Sequence, residues 1–338
     1  VIMISMTSLK VSMEEKDSKF NYYIGLDIGG TKCAQTIGKI AANDGLEILK
    51  RVEFSTAGQK PEVILDRFSG FIEKTLKDYN ISGIGISCGG PLDSKRGVIM
   101  SPPSLPLWDN INVVEYFEGK FNIKTNLQND ANACAVAEWK FGAGRGAENM
   151  VFLTFGTGFG AGLILGGRLY GGTTDNAGEI GHIRLTDRGP EGYRKKGSCE
   201  GYCSGSGMAR LALIMGKKSS LKTEYNEFID KIGGEKNISA KNMAEYARSG
   251  NEFCKAVYKK SGEMLGRSIA ILVDLLNPQK IVIGGIFMRA NDLMLPHVKR
   301  VMKKECLSFS LNDVEIVSAG LGENIGDYAA LSIAKGEF

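Results

Sequence analysis

The sequence lacks several features that would place the protein in a specialised class. Only two of its 338 residues are histidines. Lysine and arginine (42) nearly balance aspartate and glutamate (38), and this small positive excess argues against a nucleic-acid partner. No apolar run approaches the roughly 20 residues that a membrane-spanning helix needs, so we expect no membrane segment. The apolar fraction of 43% is ordinary for a globular protein.

Cysteine is present, but not in the pattern of a disulfide framework. The seven cysteines are odd in number and scattered, with one close pair at Cys199 and Cys203. Such usage favours reduced thiols and therefore a cytoplasmic location. The opening VIMISM is shorter than the ~7–15 apolar residues of a signal-peptide core. We interpret residues 1–20 as a polar tail or leader.

Glycine is the residue that the chain has in excess. It accounts for 44 of 338 residues, which is roughly twice the usual share. The glycines occur in short pairs beside apolar runs, a pattern that predicts tight turns where the backbone approaches a ligand. A chain of this length is long enough for two packed lobes or for one large α/β domain.

Three strand-and-glycine units recur along the chain. They are YYIGLDIGGTKCAQTIG from Tyr22, MVFLTFGTGFGAGLILGG from Met150 and KIVIGGIFM from Lys280. The first two look like an internal duplication of one β-hairpin, and we expect the third to be a hairpin as well. Three hairpins that aim glycines at one place predict an α/β protein with a single cleft between two related lobes.

Helical patterns separate these units. Apolar residues recur at helical spacing in residues 61–79, an alanine-rich segment follows the Asn-Asp pair at Asn129, and a long helical stretch ends at Pro278. We place the lobe boundary near Asn126. The N-terminal lobe is then residues 21–126 plus 323–338, with the last helix packing back on it, and the C-terminal lobe is residues 127–322.

The glycine turns suit a polyphosphate, because consecutive glycines expose backbone N–H groups. The chain has no Walker sequence, and GTGFGAG at Gly156 leads into a strand where a dinucleotide fingerprint must open a helix. One such turn alone is more often a tight turn without a ligand. Three of them after strands, one beside the acid Asp27, favour a phosphate site.

Three motifs together resemble the signatures of the ROK family (repressors, open reading frames, sugar kinases). They are DIGGTK at Asp27, LTFGTGFGAGLILGGRLYGG at Leu153 and AGEIGH at Ala177, in the family's order and spacing. The resemblance covers nearly the whole chain from Tyr22. It implies a two-lobed actin/hexokinase-like ATPase fold built on two ribonuclease-H-like domains, transfer of phosphate from Mg-ATP to the 6-hydroxyl of glucose or a related hexose, and a homodimer.

The resemblance also assigns roles to residues. Asp130 would be the catalytic base, although an Asn-Asp pair at a helix start is usually a simple cap. The implied substrate-binding residues are Asn129, Asp130, Glu179, His182, Glu200, Gly90 and Ser104. The implied ATP-binding residues are Asp27, Gly29, Gly30, Thr31, Lys32, Gly156, Thr157, Gly158, Gly284 and Gly285, with Asp27 holding Mg²⁺. Ser104 stands where the family usually has asparagine, which leaves the sugar specificity open.

The same family offers a test for zinc. In many members the histidine of the third motif is followed by three cysteines that complete a zinc site. Those positions hold Glu191, Tyr193 and Ser198 here. Cys199 and Cys203 fall elsewhere and, with His182, lack an obvious fourth ligand. We therefore expect that structural zinc has been lost and that packing supports His182 instead.

Three other functions remain open at this point. An N-acetylhexosamine kinase, acting on N-acetylmannosamine or N-acetylglucosamine, would differ only in room for an acetamide. A sugar-responsive repressor of the same family would carry a helix-turn-helix domain, and about twenty residues before the first strand are too few for one. A non-kinase ATPase of the actin/chaperone superfamily is disfavoured by the sugar motif GEIGH.

Overall fold

The computed structural model describes residues 20–41, 45–218 and 220–338. The tail predicted at residues 1–20 lies outside this description, apart from its last residue. The chain divides into two compact units. The first unit runs to Phe141 and takes in Asn324–Phe338, and the second unit is Gly142–Glu323. Within the described ranges, no helix combines the length and the apolar character needed to cross a membrane.

The first unit is built on a five-stranded sheet of order β3-β2-β1-β4-β8. Its strands are β1 (Phe20–Ile28), β2 (Lys32–Ala41), β3 (Leu46–Ser55), β4 (Ile81–Cys88) and β8 (Thr125–Asn129), and a small sheet contains β5 (Leu92–Asp93), β6 (Val98–Ile99) and β7 (Ile111–Asn112). Its helices are α1 (Pro61–Thr75), α2 (Val113–Phe121), α3 (Asp130–Phe141) and, at the end of the chain, α11 (Ile325–Ala334).

The second unit is built on a five-stranded sheet of order β11-β10-β9-β14-β15. Its strands are β9 (Met150–Phe155), β10 (Phe159–Leu165), β11 (Arg168–Leu169), β14 (Lys280–Ile283) and β15 (Glu315–Ser318), with β12 (Glu191–Gly192) and β13 (Lys195–Lys196) forming a separate hairpin. Its helices are α4 (Cys199–Cys203), α5 (Gly205–Lys218), α6 (Lys222–Ile232), α7 (Ala240–Arg248), α8 (Glu252–Leu276), α9 (Ile286–Glu305) and α10 (Ser308–Asp313), and short 3₁₀ turns occur at Ile180–His182 and Glu235–Asn237.

The two main sheets share one topology. In each, the first three strands in sequence run antiparallel to their neighbours, and the last two strands extend the sheet in parallel beyond the first. The first unit's β1 and β2 therefore correspond to β9 and β10, the two hairpins that the sequence identifies as duplicates. The parallel strand β4 corresponds to β14.

The third hairpin prediction was wrong. After β14 the chain passes Gly284 and Gly285 and enters α9, while β14 itself pairs in parallel with β9 and β15. Gly285 has a φ of +64° and precedes the first residue of the helix. A strand followed by a glycine pair can therefore lead either into a second hairpin strand or into a helix. Here β14 has parallel partners on both sides, so no antiparallel strand can pair with it, and a helix follows.

The predicted boundary near Asn126 also differs from the division of the structure, which falls after Phe141. Asn126 lies inside β8, and β8 pairs in parallel with β4 along its whole length. A boundary there would cut a strand out of the first sheet. The helix α3 stays in the first unit as well, because it packs against α11.

Both faces of the first sheet are covered. On one face, α1 buries Ile64, Phe68 and Ile72 against strand residues such as Ile24 and Ile84. On the other face, α11 packs on β1 and β4. Each of these strands has a glycine, Gly25 or Gly85, where it contacts the helix backbone. A Cβ atom on Gly25 would lie 3.0 Å from the Cβ atom of Ala330, and one on Gly85 would overlap the Ala330 carbonyl oxygen.

A glycine in this close contact and a glycine without it should respond oppositely to substitution by alanine. Gly85→Ala should lower the free energy of unfolding by about 1–3 kcal/mol, because α11 must be displaced from the sheet. Gly70→Ala in α1, where an added Cβ would meet no atom within 4 Å apart from the helix's own neighbouring backbone, should raise it by about 0.5–1 kcal/mol. Urea denaturation of both variants measures the difference. A Gly85→Ala protein as stable as the wild type would contradict the close contact.

Candidate active site

Several predicted site residues of the first unit follow strands that end at one edge of its sheet. The neighbours β1, β4 and β8 are parallel, with Ile28 opposite Cys88 and Cys88 opposite Asn129. Asp27 is next to last in β1, Gly89 and Gly90 follow β4, and Asp130 follows β8. The carboxyl ends of parallel strands are where open α/β sheets bind their ligands.

Asn129 and Asp130 are oriented by the start of α3. The Asn129 Oδ1 atom accepts a hydrogen bond from the Ala131 N–H at 2.9 Å, and the Asp130 Oδ1 atom accepts from the same N–H at 2.7 Å. The cap that the isolated sequence would suggest is therefore real. It fixes one oxygen of Asp130, while Oδ2 faces Gly89, whose added Cβ would lie 3.8 Å away.

The Asp130 carboxyl group has a raised pKa. Its side chain is exposed, yet the surrounding protein excludes part of the solvent and raises the pKa above its usual value, against the lowering effect of the Ala131 N–H. A raised pKa makes a carboxylate a better proton acceptor. Asp130 thus combines an accessible oxygen with increased basicity.

Ser104 and Gly90 lie beside this pair. A Cβ atom on Gly30 would lie 2.5 Å from the Ser104 carbonyl oxygen, so the loop that carries Ser104 touches the β1–β2 turn. The Ser104 Oγ atom is 4.0 Å from the Cβ position of Gly89, and the Asn129 Nδ2 atom is 3.3 Å from that of Gly90. The structure therefore brings Gly30, Gly90 and Ser104 to the Asn129–Asp130 end of the sheet.

Asp27 is partly buried among other carboxylates. Burial is the main cause that raises the pKa of its carboxyl group to about 7, and the charges of Asp130 and Asp327 raise it further. Asp327, in the first turn of α11, is itself held: its Oδ1 accepts from the Thr36 hydroxyl at 2.9 Å, and its Oδ2 accepts from the Arg51 Nε atom at 2.9 Å. Sequence reasoning missed Asp327, because no local pattern links α11 to β2 and β3.

The β1–β2 turn carries the predicted ATP-binding residues that follow Asp27. The Gly29 N–H donates to the Lys32 carbonyl at 3.2 Å and the Thr56 hydroxyl donates to the Gly29 carbonyl at 2.7 Å, so the turn is braced by the end of β3. Thr31 and Lys32 are exposed. The Lys32 amine donates to Glu53 at 2.8 Å, so in this structure its charge is paired with a carboxylate.

In the second unit, the β9–β10 turn lies against two helix N-termini. The Gly156 N–H donates to the Gly158 carbonyl at 3.1 Å, and the Gly156 carbonyl accepts from the Gly205 N–H at 2.8 Å, at the start of α5. A Cβ atom on Gly285, before α9, would overlap the Phe155 carbonyl, whereas one on Gly156 would meet nothing within 4 Å. Helix N-termini carry partial positive charge and attract phosphates.

Two residues of α5 are linked to the β9–β10 turn by hydrogen bonds, and the sequence did not predict them as site residues. The Ser206 hydroxyl donates to the Thr157 carbonyl at 3.1 Å, and the Arg210 Nη2 atom donates to Ser206 at 3.2 Å. The buried Nε atom of Arg210 has no partner among the described residues. The signal was available, since Gly205 and Gly207 flank Ser206 directly at a helix start.

The three acidic and imidazole side chains assigned to a sugar are held on neighbouring segments. Glu179 caps the 3₁₀ turn and His182 is its last residue, and side chains three residues apart in such a turn share a face. The carboxylate of Glu200, on α4, accepts the Phe159 N–H at 3.2 Å. A Cβ atom on Gly181 would lie 3.5 Å from the Glu200 Cβ atom, which places the 3₁₀ turn beside α4.

His182 is exposed but not unsupported. Its ring packs edge-on against the Tyr193 ring, with centroids 5.7 Å apart and planes at 67°. Its carbonyl accepts the Lys195 amine at 2.8 Å. Tyr193 and Arg194 form the turn of the β12–β13 hairpin with φ values of 43° and 63°. A left-handed backbone costs a non-glycine residue roughly 1–2 kcal/mol.

The two cysteines of this region contact α8. Ser268 donates to the Cys199 Sγ atom at 3.1 Å, the Cys203 thiol lies 3.9 Å from the Ser261 carbonyl, and burial raises the pKa of both thiols. Ser198, at one of the family's cysteine positions, caps α4 by accepting the Gly201 N–H. Across the described ranges, no three His, Cys, Asp or Glu residues are grouped so that they could hold a metal ion.

Comparison with known proteins gives consistent matches. The model of the ROK family matches residues 23–337. A glucokinase of Thermotoga maritima is 28% identical over 315 residues, covering 92% of this chain and 96% of the relative. A xylose repressor of Bacillus subtilis is 23% identical over 323 residues, covering 95% and 79%.

Among solved structures, a ROK family glucokinase from Streptomyces griseus in complex with glucose and AMPPNP is 26% identical with a TM-score of 0.74. The match covers 94% of this chain and all of that one. This likeness, with the shared topology of the two sheets, confirms the predicted α/β fold of the actin/hexokinase-like class.

Proposed function

This chain belongs to the ROK family, and we propose that it is an ATP-dependent hexose kinase that phosphorylates the 6-hydroxyl of glucose or a related hexose. The observation that carries the proposal is the Asp130 carboxylate. It has a free oxygen, a raised pKa and Asn129 beside it at the carboxyl end of three parallel strands. The glucokinase relatives, matched over nine-tenths of this chain, support the same class of reaction.

Asp130 would orient the sugar hydroxyl and accept its proton. Phosphoryl transfer asks the protein chiefly for positioning and charge stabilisation, so the base is needed late. The cap at the start of α3 holds Oδ1 and leaves Oδ2 for the hydroxyl. A raised pKa offsets the lowering that a helix N-terminus normally imposes on a carboxylate.

Mg²⁺ would be held by Asp27, directly or through water. Burial is the main cause that raises the pKa of Asp27, and the charges of Asp130 and Asp327 add to it, so a divalent cation held by this one carboxylate together with phosphate oxygens and water would offset the negative charge there. When bound, the ion neutralises charge on the phosphates. Arg51 and Thr36 hold Asp327 in place, and through it they maintain the field around Asp27.

The phosphates of ATP would contact backbone N–H groups of the two glycine turns. In the first unit these belong to Gly29, Gly30 and Thr31. In the second unit Gly156, Thr157 and Gly158 lie against the starts of α5 and α9, whose dipoles favour an anion. Packing does not demand glycine at position 156, and open space there leaves room for a ligand.

The sugar would be recognised by polar groups that match ring hydroxyls. In the second unit these are Glu179, His182 and Glu200, and in the first unit they are Asn129 and Asp130, with Gly90 and Ser104 adjoining. Glu200 is oriented by the Phe159 N–H, which leaves its second oxygen for a hydroxyl. Ser104 is shorter than the asparagine it replaces, so we expect it to influence which sugar is preferred.

A panel of sugars tests the proposal. We expect ADP release from Mg-ATP to rise strongly with one of glucose, mannose, fructose, allose, N-acetylglucosamine or N-acetylmannosamine in a coupled assay. A response to an N-acetylhexosamine alone would identify the alternative kinase. No response to any sugar, with sugar binding retained, would instead favour the repressor-like function suggested by the xylose repressor match.

A further inference from the structure

The β12–β13 hairpin is anchored through Gly192, the residue before its turn, to the helix that carries Glu200. A Cβ atom on Gly192 would lie 2.8 Å from the Cβ atom of Glu200 and 2.8 Å from the Ser198 hydroxyl. The Ser198 hydroxyl donates to the Gly192 carbonyl at 3.3 Å and accepts the Gly201 N–H at 3.2 Å. Gly192 and the first turn of α4 are therefore packed together.

The tip of the same hairpin contacts His182 twice. The Tyr193 ring meets the imidazole edge-on, and the Lys195 amine reaches the His182 carbonyl. The first contact restrains the side chain and the second restrains the backbone. Glu200 and His182, assigned to the same ligand, are thus connected through residues 192–195.

The turn at the tip is unfavourable by itself. A two-residue turn with positive φ at both positions is normally made with asparagine or glycine, yet tyrosine and arginine occupy it here. Tyr193 is also 63% exposed, so hydrophobic burial does not explain its presence. A strained, exposed aromatic residue is informative when it makes a specific contact, and the contact here is with His182.

We propose that Tyr193 is a positioning residue for sugar binding: its ring, with the Lys195 amine, holds His182 in the orientation that contacts the sugar. This inference rests on the proposed function, since it takes His182 as a sugar ligand. It deepens that function by assigning the support of His182 to a side chain that stands where many family members have a zinc-binding cysteine.

The variant Tyr193→Asn separates this role from a structural one. Asparagine tolerates positive φ, so the turn should keep or gain stability while the ring is lost. We expect glucose, used as the probe, to bind about 3- to 10-fold more weakly, as for loss of an aromatic pair. The KM for ATP and kcat at saturating sugar should stay within about twofold. Tyr193→Phe keeps the ring and should restore wild-type binding.

A spectroscopic readout checks the contact without relying on activity. The chain has two histidines, so in histidine-labelled protein His297→Gln assigns the remaining imidazole resonances to His182. We expect their ring-current shifts to be retained in Tyr193→Phe and lost in Tyr193→Asn. Glucose titrations followed on the same resonances give the dissociation constants.

The outcomes distinguish the two proposals. Unchanged His182 resonances in Tyr193→Asn, or unchanged glucose affinity, would overturn the role of Tyr193 even in an active kinase. A parallel loss of melting temperature, ATP affinity and kcat would overturn it too, as a merely structural effect. Weaker glucose binding in Tyr193→Asn of a protein without sugar-dependent turnover would support this inference and overturn the kinase proposal. No binding of any panel sugar would overturn both.

Discussion

Asp130→Asn should reduce sugar-dependent ADP release by about 10²- to 10⁴-fold, the usual contribution of a positioned general base. Asparagine keeps the oxygen that accepts the Ala131 N–H, so α3 should start as before. The variant loses a carboxylate whose pKa the folded protein raises, and it should therefore be at least as stable as the wild type. The readouts are kcat, binding of an ATP analogue and the melting temperature.

A matched control is available in the same unit. Asp93 also accepts a backbone N–H, from Arg96 at 2.9 Å, but none of the proposed roles involves it. Asp93→Asn should leave kcat unchanged. If Asp130→Asn kept turnover within about threefold of the wild type, Asp130 would be a helix cap and another group would have to accept the proton.

Elements of the fold were predictable from the sequence where a pattern of a few neighbouring residues determines them. The duplicated hairpins and the long helices were predictable, because strand alternation, helical spacing and caps act over a few residues. The glycine pair after β14 was misread for the same reason: the local signature of a strand exit is shared by a hairpin and a helix start. What decides between them is the pairing of β14 with β9 and β15, which sequence does not display.

Groups that meet over long distances in sequence were not predictable. Asp327 contacts Arg51 and Thr36 across 276 and 291 positions, and this ion-paired cluster shapes the charge around Asp27. The support of His182 by Tyr193 depends on the shape of one hairpin turn. Packing in place of zinc was expected to support His182, but no local pattern indicated which residue supplies it. The roles assigned to Asp27, Asp130 and the sugar-binding residues stay predictions, as does the homodimer.

Asp27→Asn should stabilise the protein at alkaline pH in Mg²⁺-free buffer. The folded protein raises the pKa of Asp27 from 3.8 to about 7. Between these two values the folded state retains a proton that the unfolded chain has lost, so the contribution of Asp27 to stability falls as pH rises. Asparagine removes this effect. The gain at pH 8, reduced by partial exposure to solvent, should be on the order of 1–3 kcal/mol and should vanish near pH 4.

Asp327→Asn provides the opposite case, because Asp327 is buried and its carboxylate accepts the Arg51 guanidinium and the Thr36 hydroxyl. Its loss should cost about 1–3 kcal/mol at pH 8 by leaving those donors without their charged partner. Urea denaturation of both variants from pH 4 to 8 tests the pair. Opposite signs would mean that Asp327 stabilises the fold whereas Asp27 is retained at a cost to it, as expected of a group kept to bind a cation. Equal destabilisation by both variants would remove that argument for the Mg²⁺ role of Asp27.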